Sequence, residues 1–156
     1  NGSIKVSDGT TPEAIEYTTL CQDGDFSFTI PRHDVLVLRC RRDFASTPVL
    51  RKGDLQPITG SFSVYLTDLT DAAEATIMDI LTDGGFVGTD WVPTNGASAE
   101  VPTYTLVWDL DATSGAEAVT VTFPYTVLRL NSVDESGDFT RVTVDFTCYA
   151  ELPTYS

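Results

Sequence analysis

Paired carboxylates are the first residues in this sequence that could do chemistry. Asp109 and Asp111 lie two positions apart in a predicted strand, so both side chains would project from one face and could flank a glycosidic bond. The chain contains 23 Asp and Glu residues, however, so such pairs arise readily by chance. His33 is the only histidine that could activate a serine, and the Gly-x-Ser-x-Gly motif is absent. The sequence therefore predicts no catalytic residues and no enzymatic activity.

Residues that bind metals are equally sparse. The three cysteines, Cys21, Cys40 and Cys148, are far apart and show no spacing typical of a zinc site. Their odd number argues against a disulfide framework, so we expect small buried residues in a protein that folds in a reducing compartment. Two acidic turns, DGD and DESGD, resemble calcium loops but do not extend to a closing Glu. We predict no metal site and no cofactor.

Aromatic residues suggest another kind of site. Trp91 and Trp108, together with six tyrosines, could form a platform on which sugar rings stack. A β-sandwich module that recognises a carbohydrate or a receptor is therefore the alternative hypothesis for function. The burial of the two tryptophans tests it, because aromatic residues of a β protein more often belong to the core.

The charge of the chain is strongly negative and unevenly distributed. The formal net charge is −14, yet residues 31–56 contain six Lys and Arg against three acids, and residues 57–156 contain two against fifteen. So acidic a body is not expected to bind nucleic acid tightly, because phosphate binding requires Lys and Arg. A cationic segment with apolar residues is complementary to a second, acidic copy of the same chain. The predicted contact residues are Arg39, Arg41, Arg42, Phe44, Leu50, Arg51 and Lys52.

The elements that must position these residues are mainly strands. The run 35–40 is expected to be a buried strand, and Pro124 is expected to cause a bulge or to mark an edge. The two last strands are expected to form a long hairpin around DESGD. One face of the strand 58–67 should contain Ile58, Phe62, Val64 and Leu66. Strands are predicted within 13–20, 25–30, 35–40, 58–67, 103–110, 118–130 and 139–152.

One segment has a strong helix signal. Asp71 and Glu74 form a variant of the capping box, an apolar stripe follows, and Gly84-Gly85 provide a stop, which predicts a helix over 71–83. The predicted fold class is mainly β: an antiparallel β-sandwich or barrel with one packed α-helix, at about 71–83, and a long inter-strand loop, at about 41–57. We expect a single domain, 1–156, with an N-terminal arm at 1–12. Apolar runs reach only about four residues, so no membrane span is predicted.

The order of these segments resembles a known family. The succession CQDGDFSFTIPR, LRKGDLQPITGSFSVYLTD and DAAEATIMDILTDGG precedes two long strands around DESGD. This order is similar to that of the tail tube (major tail) proteins of long-tailed, siphovirus-type bacteriophages. The resemblance extends over about residues 13–150, nearly the whole chain.

The resemblance implies a structural virion protein that assembles into hexameric rings. The rings would stack head to tail into the hollow tail tube, which conducts DNA during ejection without binding it specifically. A long loop would reach the neighbouring ring, and strands would line a lumen whose acidic residues repel phosphates. The implied partners are the protein itself and the tape measure, distal tail and terminator proteins, in a virion assembled in the cytoplasm of the bacterial host. Strand position suggests that the lumen-facing residues are Asp109, Asp111 and Asp145.

Overall fold

The computed structural model describes residues 2–21, 25–38, 49–66, 71, 73–110, 118–136, 139–150 and 152–156. Within these ranges the chain forms ten strands and two short helices. The strands are β1 Gly2–Ser7, β2 Glu16–Cys21, β3 Phe26–Thr29, β4 Val35–Leu38, β5 Val49–Lys52, β6 Ile58–Tyr65, β7 Tyr104–Leu110, β8 Val119–Ser136, β9 Phe139–Cys148 and β10 Thr154–Tyr155. The helices are α1 Ile77–Thr82 and α2 Gly85–Asp90.

Eight of the described strands form one antiparallel sheet, which extends to both sides of the β8–β9 pair. β7, β1 and β2 continue the sheet from β8, whereas β6 and β3 continue it from β9. The order is therefore β2-β1-β7-β8-β9-β6-β3, and β10 pairs with the first part of β8. β4 and β5 form a separate two-stranded sheet. The predicted mainly β, antiparallel fold is confirmed, as is the long hairpin of β8 and β9.

One hydrophobic core underlies the sheet and both helices. Alternate residues of β1, β6, β7, β8 and β9 point into it, as in any strand with one buried face. Aromatic rings occupy part of this core: Phe26 stacks on Trp108 with 4.6 Å between ring centroids, and Phe123 approaches Phe146 at 5.3 Å. The predicted inward face of β6 is confirmed. Fully or almost fully buried side chains include Ile4, Val6, Ile58, Phe62, Leu106, Phe123, Val142, Val144 and Phe146.

β8 has a bulge at Pro124, as the sequence predicts. The register against β7 shifts so that Pro124 and Tyr125 together oppose Thr105. Proline has no N–H for the ladder, and Tyr125 has a φ of +53°, in the left-handed region. Just beyond the bulge the pairing with β7 ends at Thr126, whereas β8 continues to Ser136. The second half of β8 therefore has β9 on one side and no strand on the other among the described residues.

The helical region differs from the prediction of a single helix over 71–83. The N-cap of α1 is Thr76, whose hydroxyl accepts the Asp79 N–H at 3.2 Å. Asp71 is not the cap of α1: its main-chain N–H donates to the buried Asp79 carboxylate at 3.2 Å, and both Asp71 and residues 73–76 precede the first helical residue. The predicted Gly84-Gly85 stop is confirmed, but the chain turns there into α2. Neither described helix has the length and apolarity to cross a bilayer.

Two further predictions are wrong at the level of secondary structure. Residues 1–12 are predicted as an N-terminal arm, but Gly2–Ser7 form β1 between β2 and β7. The predicted loop 41–57 contains β5, although residues 41–48 lie outside the described residues. The run 35–40 is predicted to be buried, yet Val35 is 61% exposed. The reason is that, in the part of the chain that the structure describes, no strand of the main sheet pairs with β4 or β5.

Gly60 offers a test of this packing. A Cβ at this position of β6 would lie 2.3 Å from the Ser27 carbonyl oxygen and 2.5 Å from Cζ of Phe146. Overpacking of a core typically costs about 1–3 kcal/mol, so we expect Gly60→Ala to reduce the free energy of unfolding by that amount in urea denaturation. Thr59→Ala, at an exposed neighbouring position, is the control and should change stability far less. Equal stability of the two variants would contradict the close approach of β3 and β9 to Gly60.

Candidate functional site

The separate two-stranded sheet has the features of a binding element. We call β4 and β5, residues 35–38 and 49–52, the hairpin arm. The pairs Val37–Leu50 and Leu36–Arg51 place apolar side chains on both faces, because opposite residues of an antiparallel pair project to the same side. An isolated two-stranded sheet is marginally stable in water, and grouped exposed apolar side chains indicate a binding surface. The exposed fractions lie between 48% and 61% for Val35, Leu36, Val37 and Leu50.

The structure places three of the seven predicted contact residues on this arm. Leu50, Arg51 and Lys52 are exposed on β5. Neither cation forms an ion pair with any part of the chain that the structure describes. The base of the arm is tightly closed, since a Cβ at Gly53 would lie 2.8 Å from the Asp34 Cβ. The remaining predicted contact residues lie outside the described residues: Arg39, Arg41, Arg42 and Phe44.

A second feature is a set of four strands in register at one height of the sheet. We call it the edge band: residues 26–29 of β3, 59–62 of β6, 144–147 of β9 and 127–130 of β8. One cross-strand row illustrates the register, since Ser27 pairs with Ser61, Ser61 with Asp145, and Asp145 with Arg129. Among the described residues, neither β3 nor this part of β8 has a strand on its outer side. The edge band therefore ends in an unpaired edge on both sides.

Hydrogen bonds beside the edge band show which backbone groups lie at these edges. The Ser63 N–H donates to the Asp25 carbonyl at 3.2 Å, and the Tyr149 N–H donates to the Tyr125 carbonyl at 3.2 Å. Bonded and non-bonded pairs alternate along antiparallel strands. Alternate residues of β3 therefore turn their N–H and C=O groups away from β6, and alternate residues of β8 turn theirs away from β9. Such edges are templates for pairing with another chain. The residues concerned are Phe26, Phe28, Leu128 and Leu130.

The face of the edge band away from the core is rich in hydroxyl groups. The hydroxyl oxygens of Ser27 and Ser61 are 3.3 Å apart. Asp145, a predicted lumen residue, is exposed on this face and accepts hydrogen bonds of 3.0 and 3.1 Å from the Asn131 amide. Acidic and basic side chains nearly balance, so the face is close to neutral. By strand alternation, the charged residues of this face and of its continuation along the strands are Asp25, Arg129, Asp134, Arg141 and Asp145.

Asp109, the second predicted lumen residue, lies outside the edge band, on β7. Its carboxylate contacts Lys5 Nζ at 2.9 Å and accepts the Thr120 hydroxyl at 2.7 Å. Burial acts to raise the pKa of Asp109, but the hydrogen bonds from Thr120 and Lys5 and the Lys5 charge outweigh it and lower this pKa. The hydrogen bond and the charge of Asp109 in turn raise the pKa of Lys5. The structure does not bring Asp109 together with Asp145, and Asp111 lies outside the described residues.

The tryptophans do not form the stacking platform of the alternative hypothesis. Trp91 is 6% exposed and packs edge-on against Tyr104, with 5.4 Å between ring centroids. Trp108 is half-buried, with its ring covered by Phe26. Cys148 is buried, as predicted, and its thiol donates to the Pro124 carbonyl at 2.9 Å. The burial of Trp91 and the stacking of Phe26 on Trp108 count against sugar binding through these two rings.

The comparisons with known proteins place this fold among particle components. One such chain comes from the structure of an extracellular contractile injection system, the PVC sheath/tube terminator in its extended state. It aligns over 100% of this chain and 93% of its own length, with a TM-score of 0.58 and 13% identity. A chain of the PVC sheath-tube complex covers 99% and 87%, with a TM-score of 0.56 and 12% identity. A chain of the anti-feeding prophage baseplate covers 100% and 92%, with a TM-score of 0.56 and 8% identity.

At these identities the likeness is one of fold. No protein-family model matches the sequence, and no curated protein matches it. The chain therefore has the fold of chains found in contractile, phage-tail-like injection particles. The more specific resemblance to siphovirus-type tail tubes stays a prediction.

The Lys5–Asp109 contact predicts a pH dependence of stability. Because the pKa of Asp109 is lowered in the folded chain, its contacts stabilise the fold above the pKa of the unfolded chain, and this contribution is lost as the pH falls through the folded pKa. Asp109→Asn should thus lower the melting temperature more at about pH 7 than at about pH 2. Lys5→Ala should raise the Asp109 pKa in an NMR titration of the carboxyl carbon. An unchanged pKa in Lys5→Ala would contradict the contact.

Proposed function

We propose that this chain is a self-assembling subunit of the tube of a phage tail or a related injection particle. Its copies form rings, and the stacked rings enclose a channel that conducts DNA. The edge band is the observation that supports this proposal most. Its four strands are in register and have an unpaired edge on each side, so one edge of each copy can pair with the opposite edge of the next copy. The fold shared with chains of sheath, tube and baseplate assemblies supports it as well.

The direction of the strands favours closure between copies. β3, β6, β9 and β8 alternate in direction, so β3 of a second copy placed beside β8 would again be antiparallel to its neighbour. Each copy then contributes one edge and receives the other, a head-to-tail contact that closes into a ring when the rotation permits. Pairing would satisfy the edge backbone groups and cover Leu130, which is 45% exposed. The number of copies in a ring, six, is what the resemblance to tail tube proteins implies.

The hydroxyl-rich face of the edge band is then the channel wall. Such a wall has no excess of Lys or Arg and so lacks the residues that hold DNA phosphates. The net charge of −14 adds a repulsive field around the channel. We assign Asp145 to this wall and exclude Asp109, because β7 is not part of the edge band. The role is structural and requires no catalytic group.

The hairpin arm is assigned to contacts between rings. Its exposed cations and apolar side chains suit an acidic neighbour of the same sequence, and both ends of such a tube would meet other tail proteins, of the tape measure, distal tail and terminator kinds. The location that follows is the tail-like particle, after assembly in the bacterial cytoplasm.

A carbohydrate- or receptor-binding module remains the second candidate, with a different site from the tryptophans. A cavity of about 440 Å³ beside the bulge of β8 is lined in part by Tyr125 and Tyr149, which are 50% and 59% exposed. Asn95 and Arg129 add polar groups to the same wall. A glycan array tests this candidate: binding that Tyr149→Ala abolishes would favour it, and no binding would exclude it.

The ring proposal predicts that a charge at the free edge of β8 blocks assembly without unfolding the subunit. In the monomer Leu130 is exposed, so Leu130→Asp should leave the melting temperature within a few degrees of the wild type. In a ring the same carboxylate would lie against Phe26 of the neighbour without a partner, which is costly. Light scattering and negative-stain microscopy should show rings or tubes for the wild type and monomers for Leu130→Asp.

Val119→Asp is the matched control, because Val119 is 42% exposed on the part of β8 that is already paired with β7. This variant should assemble like the wild type. A wild-type protein that stays monomeric at high concentration would refute the proposed function, and normal assembly of Leu130→Asp would refute the role of this edge.

A further inference from the structure

A third unpaired edge among the described residues lies on β2, at the opposite end of the strand order from β3. Between β2 on one side and Asp71 with residues 73–76 on the other there is a cavity of about 500 Å³, which we call the β2 groove. Ile15, Tyr17 and Phe86 contribute apolar surface to it, and the exposed acids Glu16, Asp71 and Glu74 also line it. The wall opposite β2 is fixed in place by the hydrogen bond from the Asp71 N–H to the buried Asp79 carboxylate. The β2 groove is therefore formed before any partner binds.

Backbone groups of β2 are directed into this groove. The Asp8 N–H donates to the Ile15 carbonyl at 3.1 Å, and the bonding alternates from there along the β1–β2 pair. Glu16 and Thr18 therefore turn their N–H and C=O groups away from β1. Among the described residues β2 pairs with no strand other than β1. An edge with free backbone groups beside an apolar cavity is where an extended segment adds to a sheet.

We propose that the β2 groove receives the hairpin arm of a second copy, with β5 added beside β2. The arm has the matching spacing. The Gly53 N–H donates to the Asp34 carbonyl, so by the same alternation Leu50 and Lys52 turn their backbone groups outward from β5. The outward backbone groups of Leu50 and Lys52 can thus pair with those of Glu16 and Thr18 on β2. This step rests on the proposed function, since it names the partner surface of the arm.

Charge and apolar surface support the same occupant. Lys52 and Arg51 would approach Glu16 and Glu74, while Leu50 would enter the apolar part of the cavity. The exposed apolar side chains of the arm, which lie outside the described hydrophobic core, would be covered by this docking. Because every copy has one arm and one groove on different elements, the contact is head-to-tail and can continue from ring to ring. It is distinct from the contact through the edge band.

Charge reversal tests the docking, with assembly of the full-length chain followed by sedimentation velocity. R51E/K52E alters only the arm and E16K/E74K alters only the groove. Each should raise the concentration required for tubes by about tenfold or more, since two ion pairs become repulsive. The quadruple variant restores opposite charges and should assemble close to the wild-type concentration. Melting temperatures should be unchanged, because all four side chains are exposed.

Mixing the two double variants gives a sharper result. The intact arm of E16K/E74K fits the intact groove of R51E/K52E, and the reversed arm of R51E/K52E fits the reversed groove of E16K/E74K. An equimolar mixture should therefore form tubes at a concentration at which neither double variant assembles alone. The matched control D90K/E100K changes two exposed acids away from the groove by the same charge and should assemble normally. If E16K/E74K assembles like the wild type while R51E/K52E does not, the groove is not the docking site and the proposed function stands. A wild type that never assembles overturns both.

Discussion

The antiparallel pairing of β8 with β9 is the interaction on which the other elements depend. It runs from Thr126–Cys148 to Ser136–Phe139, and every other strand of the main sheet is added directly or indirectly to one of these two strands. The bulge at Pro124 lies where β8 leaves β7. Before the bulge, β8 pairs with β7 on one side and with β10 on the other. After Thr126 it pairs with β9 alone among the described strands. This bulge therefore divides the longest strand into a part that is paired within the subunit on both sides and a part that has one edge without a strand among the described residues.

The same constraint leaves unpaired strand edges in an isolated copy, among the described residues. Strand edges have N–H and C=O groups that require partners, and soluble proteins usually protect such edges. Among the described residues, β3, β2 and the part of β8 after Thr126 each have one edge that pairs with no strand. The hairpin arm exposes apolar residues on both faces. Our proposals satisfy these groups with copies of the same chain. Part of the stability of such a protein belongs to the assembly and depends on concentration.

Local patterns predicted what depends on local chemistry. Alternation located the inward face of β6, and the missing N–H of Pro124 predicted the bulge. The helix begins later than predicted, at Ile77, and the Asp71–Asp79 hydrogen bond, which spans eight residues before and within it, is a contact that periodicity does not reveal. The apolar run 35–38 was predicted to be buried in the subunit, but it is exposed. The sequence of an apolar strand does not show whether it packs within its own chain or against another one. The edge residues were missed because strand order is a property of the whole sheet.

A cryo-electron microscopy reconstruction of the particles formed by the wild-type chain would test the central claim most directly, because it shows which strands meet between copies. We predict that β8 of each subunit, at Leu128 and Leu130, lies antiparallel to β3 of its neighbour at Phe26 and Phe28, with Ser27, Ser61 and Asp145 facing an open channel. A map in which these edges are unpaired, or in which the hydroxyl-rich face is buried against protein, would contradict the account.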